Sequence, residues 1–428
     1  MKLWDKGSIT DKKIDQFTVG NDRTFDLVLA KYDVVGSIAH AEMLKEIGIL
    51  SDEEFISLKY ELKAILKLIE KGDFHISDDF EDVHSKVEWV LTQKLGDMGK
   101  KIHTARSRND QVLVDMHLYL KDQCKEILEM VGQLFELLTD LAEKHKKVLM
   151  PGYTHFQVAM PSSFGLWFSA YAEVLIDDVY MLKAAEGIID QNPLGSAAGY
   201  GSSFPIDRML TTELLGFKDL KYNVVAAQMG RGKMEKNFAF ALSSLAGTLS
   251  KFSMDICLYL SQNFNFISFP DQLTTGSSIM PHKKNPDVFE LIRGKCNRIQ
   301  SLPNEIILLT NNLPSGYHRE MQLLKEGLFP AIESMKSCIE MFHFSVAQIE
   351  VNSDILKEER YQYLFTVERT NELVLEGMTF RDAYRKVGEE IKNGAFQYDG
   401  ELNHSHEGSI GNLCLDQIQS KMQNVLGN

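Results

Sequence analysis

The sequence predicts an all-α protein organised around a long central bundle of five helices. Three observations predict it. Residues 112–148 place Cys124, Ile127, Val131, Leu134, Leu138 and Leu141 at alternating spacings of three and four, an apolar seam at heptad spacing. Further long helical patterns follow at about 161–190, 229–264, 287–312 and 324–349. No convincing run of alternating apolar and polar residues marks a strand, and neither an internal repeat nor a low-complexity tract interrupts the pattern.

Taken in order, residues 1–103 form an expected N-terminal, mostly helical domain, with a soft break at Gly96, Gly99 and His103. The central domain spans 104–350. Its first helix, at about 1.5 Å rise per residue, would run roughly 55 Å before Pro151-Gly152 stops it. The 229–264 helix is rich in small residues (Ala239, Ala241, Ser243, Ser244, Ala246, Gly247), which lets neighbouring backbones approach closely. Its most apolar part, 238–260, carries Lys251 and Asp255, so it reads as a buried helix and not a membrane span. Pro286 reads as a first-turn proline of the 287–312 helix, with Asn285 as its N-cap. After a second soft break at Asn352-Ser353, residues 351–428 form a small C-terminal helical domain. Helices this long and apolar are expected to self-associate, burying the seams that one chain leaves open.

Composition narrows the function. Across 428 residues, 46 basic and 60 acidic side chains give a net charge of −14, which argues against a nucleic-acid binder. A small anionic substrate would need a locally basic site. Five dispersed cysteines without a CxxC pair, and a start lacking the apolar run of a signal peptide, point to reduced thiols and a cytoplasmic protein.

Three polar stretches do not suit a plain bundle: HTARSRNDQ (103–111), PGYTHFQVAMP (151–161) and TTGSSIMPHKKNPD (274–287). All lie at expected helix ends, where unpaired N–H groups and the helix dipole favour anions. In the third, Gly276 permits an open backbone, Ser277 and Ser278 bring hydroxyls, and Lys283 and Lys284 bring charge. Such a loop suits a carboxylate, the more so if that group gains charge during reaction. In the second, His155 follows Thr154 in a turn, and Glu290 is a candidate carboxylate partner. In the first, Arg106 and Arg108 flank Ser107, with Asn109 next; routine helix capping is an equal reading of these residues.

Together these stretches resemble the signature regions of the fumarase/aspartase superfamily, and in detail those of its argininosuccinate lyase family. RSRNDQ, PGYTHxQ and GSSxMPxKKNPD are that family's versions; EDVHS (81–85), IRGKCNRIQ (292–300), KEGLF (325–329) and the LWDKG start agree with it. The resemblance implies a three-domain lyase whose central bundles assemble into a tetrameric helical core, with each active site drawn from three chains. It implies β-elimination of argininosuccinate to arginine and fumarate, in arginine biosynthesis, with no cofactor and no metal. Ser277 would be the base, and Lys283 and Asn285 would hold the carboxylate that becomes an aci-carboxylate. His155, paired with Glu290, would be the acid or the organiser of the site. Ser107, Arg108, Asn109, Thr154, Tyr317, Gln322, Lys325, Asp82 and His84 match substrate-binding positions.

The chain also departs from the family. Asp22 stands where a Ser is usual, four residues before Asp26, and His318, Arg319, Leu323 and Leu324 are unusual in YHREMQLLKEGLF (317–329). These regions lie in the family near the amino-acid end of the substrate, so an N-blocked argininosuccinate is one alternative. Adenylosuccinate and a non-catalytic, crystallin-like descendant are the others. His404 and His406 have no acidic or cysteine partner at ligand spacing beyond Glu407, and a metal is not expected there.

Overall fold

A computed structural model describes residues 11–400 and 402–427; the LWDKG start lies outside them. The described chain is mostly helical. The longest helix, Arg108–His145, holds 38 residues. Its whole predicted seam is buried: Cys124, Ile127, Val131, Leu134 and Leu138 are 0% exposed and Leu141 is 6%. Helices Phe164–Ile189, Lys233–Leu260 and Leu324–Val346 follow the expected segments closely. No described helix is long and apolar enough to cross a membrane. None of the five cysteines forms a disulfide.

Three local expectations need correction. The PGYTHFQVAMP stretch is a β-hairpin, Leu149–Thr154 paired antiparallel with Gln157–Ser163. Pro151 faces Pro161, and the register shifts between Pro151 and Tyr153. That irregularity breaks the period-two pattern by which a strand is read. The expected 287–312 helix is two helices, Asp287–Ile299 and Leu302–Thr310, the second with proline in its first turn. Asn285 is not the N-cap: the Pro286 carbonyl accepts the Glu290 N–H at 3.1 Å, and Asn285 bridges to Thr275 instead.

The chain divides into two compact units, each discontinuous in sequence. The first comprises residues 11–127, Met181–Ser243 and Ile299–Ser334. Helices Asp22–Glu46, Asp52–Glu70 and Val83–Leu95 pack around Val34, Leu44, Leu58, Leu62, Val87 and Leu91. Ser51 opens the second of these through a capping box with Glu54. Phe329 lies against Tyr119, ring centroids 4.6 Å apart, and edge-on to Phe25.

The second unit comprises Leu128–Tyr180, Ser244–Arg298 and 335–427. Its core is aromatic. Phe252 stacks on Tyr171 at 3.8 Å and contacts Trp167 and Phe342. Asp255 accepts the Tyr171 hydroxyl at 2.6 Å and the Trp167 indole N–H at 3.2 Å, so the charge within this apolar helix is hydrogen-bonded. A small helical pair, Thr366–Leu375 and Phe380–Lys392, closes over Leu373, Ala383 and Val387.

Candidate active site

The first unit contains a cleft of about 220 Å³ built from five separate stretches of chain. Helix Asp22–Glu46 presents Asp22 and Asp26 one turn apart. The turn before helix Val83–Leu95 presents Glu81, Asp82 and His84; the start of Arg108–His145 presents Arg108 and Asn109. The segment 317–325 presents Tyr317, Arg319, Gln322 and Lys325. Seven of the sequence-predicted residues therefore meet here: Asp82, His84, Arg108, Asn109, Tyr317, Gln322 and Lys325.

Definite contacts position several of them. Asp82 caps its helix, accepting the Ser85 N–H at 2.8 Å and the Ser85 hydroxyl at 2.6 Å, and lies 3.3 Å from Arg108. Arg108 also donates to Glu81 at 3.0 Å and to the Ser85 hydroxyl at 2.8 Å. Glu81 receives a second guanidinium, that of Arg319, at 2.9 Å. Arg319 and Gln322 both donate to the Thr18 carbonyl, at 2.9 and 3.0 Å. Lys325 is 1% exposed and sits between two carboxylates, Asp22 and Asp26, with 2.7 Å to Asp26. Burial alone would lower the Lys325 pKa; the two carboxylates outweigh it and raise it. Burial would raise Asp26 too, but Lys325 holds it below the usual carboxylate value. Asp22 shifts the other way: burial, helped by the Asp26 charge, raises it against the pull of Lys325. Two of the departures from the family pattern, Asp22 and Arg319, thus line this one cleft.

Ser107 plays the capping role. It closes the Arg108–His145 helix by accepting the Asn109 N–H at 3.2 Å on its hydroxyl and the Gln111 N–H at 3.1 Å on its carbonyl. Asp110 reaches back to the Ser107 N–H at 2.9 Å and also accepts Gly195 and Ala197 N–H groups at 3.1 and 2.9 Å. It thereby ties the RSRNDQ turn to the 193–201 loop.

The remaining predicted residues lie in the second unit. Thr154 ends the first hairpin strand, and His155 and Phe156 form its two-residue turn at φ 53° and 57°. Positive φ at both positions is the geometry of a type I′ turn, unusual for residues other than Gly, Asn or Asp. His155 is exposed at this tip. Among the described residues, no hydrogen bond or ion pair joins His155 to Glu290, which is itself exposed.

The Ser loop is closed at its base. Thr275 and Asn285 exchange backbone hydrogen bonds at 3.3 and 2.8 Å, and the Thr275 hydroxyl bonds Asp287. The Asn285 amide donates to the Gly276 carbonyl at 3.4 Å. Lys284 pairs with Asp271, whereas the exposed Lys283 amine has no hydrogen-bond or ion-pair partner among the described residues. The Ser277 hydroxyl oxygen accepts N–H groups from Ile279 and Met280 at 3.4 and 3.2 Å. Two amide dipoles aimed at one hydroxyl oxygen favour the deprotonated form.

Reading the sequence residue by residue misses Arg231 and a buried acid–histidine cluster. Arg231 lines the cleft, donates to the Met321 carbonyl at 3.0 Å and pairs with Glu235 at 3.1 Å. Its one sequence signal is the GRGK stretch, where Gly232 takes φ +79° and a Cβ would lie 2.6 Å from Thr310 Cγ2. His404 pairs with Glu368 at 3.0 Å, an acidic partner that sequence spacing did not reveal. The candidate cation set among the described residues is Asp33, His84 and Asp115, whose ligand atoms lie within 4.8 Å of one another.

The chain is similar to several known proteins. A family model described as a lyase matches residues 7–301. An argininosuccinate lyase of Bacteroides fragilis is 57% identical over 425 residues, 99% of this chain and 95% of that protein. One from Thermotoga neapolitana is 39% identical, covering 91% of this chain and 98% of its own length. Among solved structures, an EDDS lyase variant with bound fumarate superimposes with a TM-score of 0.77 at 20% identity, covering 98% of this chain and 90% of that chain. A fumarate lyase:delta crystallin from Brucella melitensis bound to cobalt gives 0.75 at 16% identity, covering 94% and 91%. Both likenesses concern the fold.

Proposed function

The chain belongs to the fumarase/aspartase lyase family, and on that premise we propose that it splits argininosuccinate into arginine and fumarate. The observation that carries this reading is the match to an argininosuccinate lyase over 99% of the chain, all three polar signature stretches included. The reaction breaks a C–N bond after removal of a proton from the carbon beside a carboxylate. Ser277 takes that proton. Its hydroxyl is a poor base unaided; the two N–H groups directed at its oxygen support the alkoxide form. Lys283, exposed on the Ser loop, and Asn285 hold the carboxylate that gains charge as the proton leaves. Proton delivery to the departing guanidinium nitrogen falls to His155, with Glu290 as its partner.

The polar cleft of the first unit takes the amino-acid end of the substrate, through Arg108, Asn109, Tyr317, Gln322 and Lys325. Thr154, beside His155, and Ser107, beside Asn109, complete the set. The site is assembled from three chains of a homotetramer, in which His155 of one chain meets Glu290 of another. Cysteines without a disulfide suit the cytoplasm. Three regions, 1–103, 104–350 and 351–428, act as the N-terminal, bundle and C-terminal domains.

The test is direct. Purified protein is mixed with argininosuccinate and fumarate absorbance is followed. Wild type releases fumarate, and Ser277→Ala loses at least about 10²-fold in kcat. An intact tetramer inactive on argininosuccinate refutes the substrate; full activity in Ser277→Ala refutes the base.

A further inference from the structure

The strong charges of the cleft fail to balance at one point. Arg108 pairs with Glu81 and Asp82, Arg319 with Glu81, and Arg231 with Glu235, so three guanidiniums meet three carboxylates. The fourth cation, Lys325, meets two: Asp22 and Asp26, one turn apart on the same helix, both pair with its ammonium. One negative charge is left over, beside a lysine side chain only 2% exposed. His84, in the same wall, has its Nδ1 on Asp33 at 2.6 Å and so has its own carboxylate. The two acids around Lys325 are not equivalent. Asp26 has its second oxygen on the Val83 N–H at 3.2 Å, and its side chain is 3% exposed. Among the described residues, the Asp22 carboxylate has Lys325 as its one hydrogen-bond or ion-pair partner; its side chain is 16% exposed and lines the cleft. The surplus charge is therefore within reach of a ligand at Asp22. Burial, with the Asp26 charge, raises the Asp22 pKa against the pull of Lys325 and Arg231, as expected of a carboxylate short of counter-charge.

We propose that Asp22 is a specificity-determining residue that accepts the α-ammonium of the substrate's amino-acid end, with Lys325 as the positioning residue that holds its carboxylate in the cleft wall. The proposal rests on the lyase reading for its ligand and on the charge count for its sign. An ammonium brings the missing positive charge and three N–H donors. Asn109, Tyr317 and Gln322 line the same cleft with neutral oxygens, and the Gln322 amide is oriented by its N–H bond to the Thr18 carbonyl at 3.0 Å. A ligand carboxylate at this point would meet like charge, because the Lys325 ammonium is already shared by two acids. An acyl group on the α-nitrogen replaces the ammonium by a neutral amide with one N–H, and the surplus charge stays unmatched. Ser, the residue usual at this position in the family, would leave Lys325 and Asp26 as a balanced pair. Asp22 thus turns this part of the wall into a selector for a free amino group.

Fumarate release tests this on three substrates: argininosuccinate, its analogue with hydrogen in place of the α-amino group, and its Nα-acetyl form. Wild type should prefer argininosuccinate to the deaminated analogue by roughly 10–100-fold in kcat/KM, the effect of one charge-assisted hydrogen bond, and should disfavour the acetyl form at least as much. Asp22→Asn should lower kcat/KM for argininosuccinate by about the same factor, chiefly through KM, and change it for the deaminated analogue by less than about threefold. The Lys325–Asp26 pair survives this substitution, so no buried ammonium is stranded. A merely structural role for Asp22 would lower both rates together and keep the preference; that result overturns the proposal. So does a wild type that discriminates less than about threefold, or that prefers the acetyl form, and neither of these results needs a folded variant. Fumarate released from argininosuccinate without discrimination would sink the role of Asp22 and leave the lyase reading standing. Fumarate from none of the three would overturn both.

Discussion

Replacing Lys325 by Met tests the charge balance of the cleft most sharply. The substitution keeps the length of the side chain and removes the one ammonium lying between Asp22 and Asp26. Both carboxylates are largely removed from water, with Asp26 2% exposed. The first relief open to the fold is to protonate one of them. From the ordinary aspartate value of about 3.9, that costs about 4 kcal/mol at pH 7 and about 1.5 kcal/mol at pH 5. The pH 7 figure agrees with the roughly 3–5 kcal/mol found on breaking buried ion pairs. The sign follows from linkage. Asp26 has a depressed pKa in the folded wild type, so its contribution is present above the unfolded pKa and is lost only on acidification. The variant inverts this and becomes relatively more stable as pH falls from 7 to 5. Urea unfolding of wild type and Lys325→Met at both pH values measures the difference. A penalty under about 1 kcal/mol at pH 7, or one equal at both pH values, would refute the reasoning. Adding Asp26→Asn to Lys325→Met should restore about half of the pH 7 loss, since it removes the stranded charge and leaves the altered packing.

Two further predictions concern the scaffold. Gly165→Ala should destabilise by about 1–3 kcal/mol despite a better helix former, because its Cβ would stand 2.5 Å from Lys146 Cα and 2.7 Å from the Ala142 carbonyl; an unchanged Tm would show that the helix can shift there. Asp110→Ala should cost about 3 kcal/mol by stranding the Ser107, Gly195 and Ala197 N–H groups, and should slow turnover by loosening the turn that carries Asn109. Urea midpoints and fumarate release would check both parts, and a stable, fully active variant would contradict the role given to Asp110.

What the sequence by itself determined was local. The seam from Cys124 to Leu141 is buried along its length because heptad spacing puts those side chains on one face whatever the partner. The polar stretches were equally legible, since small, hydroxyl and basic residues together fit no core position. Two local features escaped: the hairpin at 149–163, whose bulge and facing prolines erase the alternation of a strand, and the break between Ile299 and Leu302. Only the tertiary structure decided which distant residues share the cleft. Lys325 meets Asp26 across 299 positions, and Arg319 meets Glu81 across 238. Nor did spacing reveal that Asp33 and Asp115, on separate helices, close on one edge of His84. Periodicity encodes the face a residue presents; which faces then meet is set by packing whole helices against each other, and there buried charges must find partners that no local window contains.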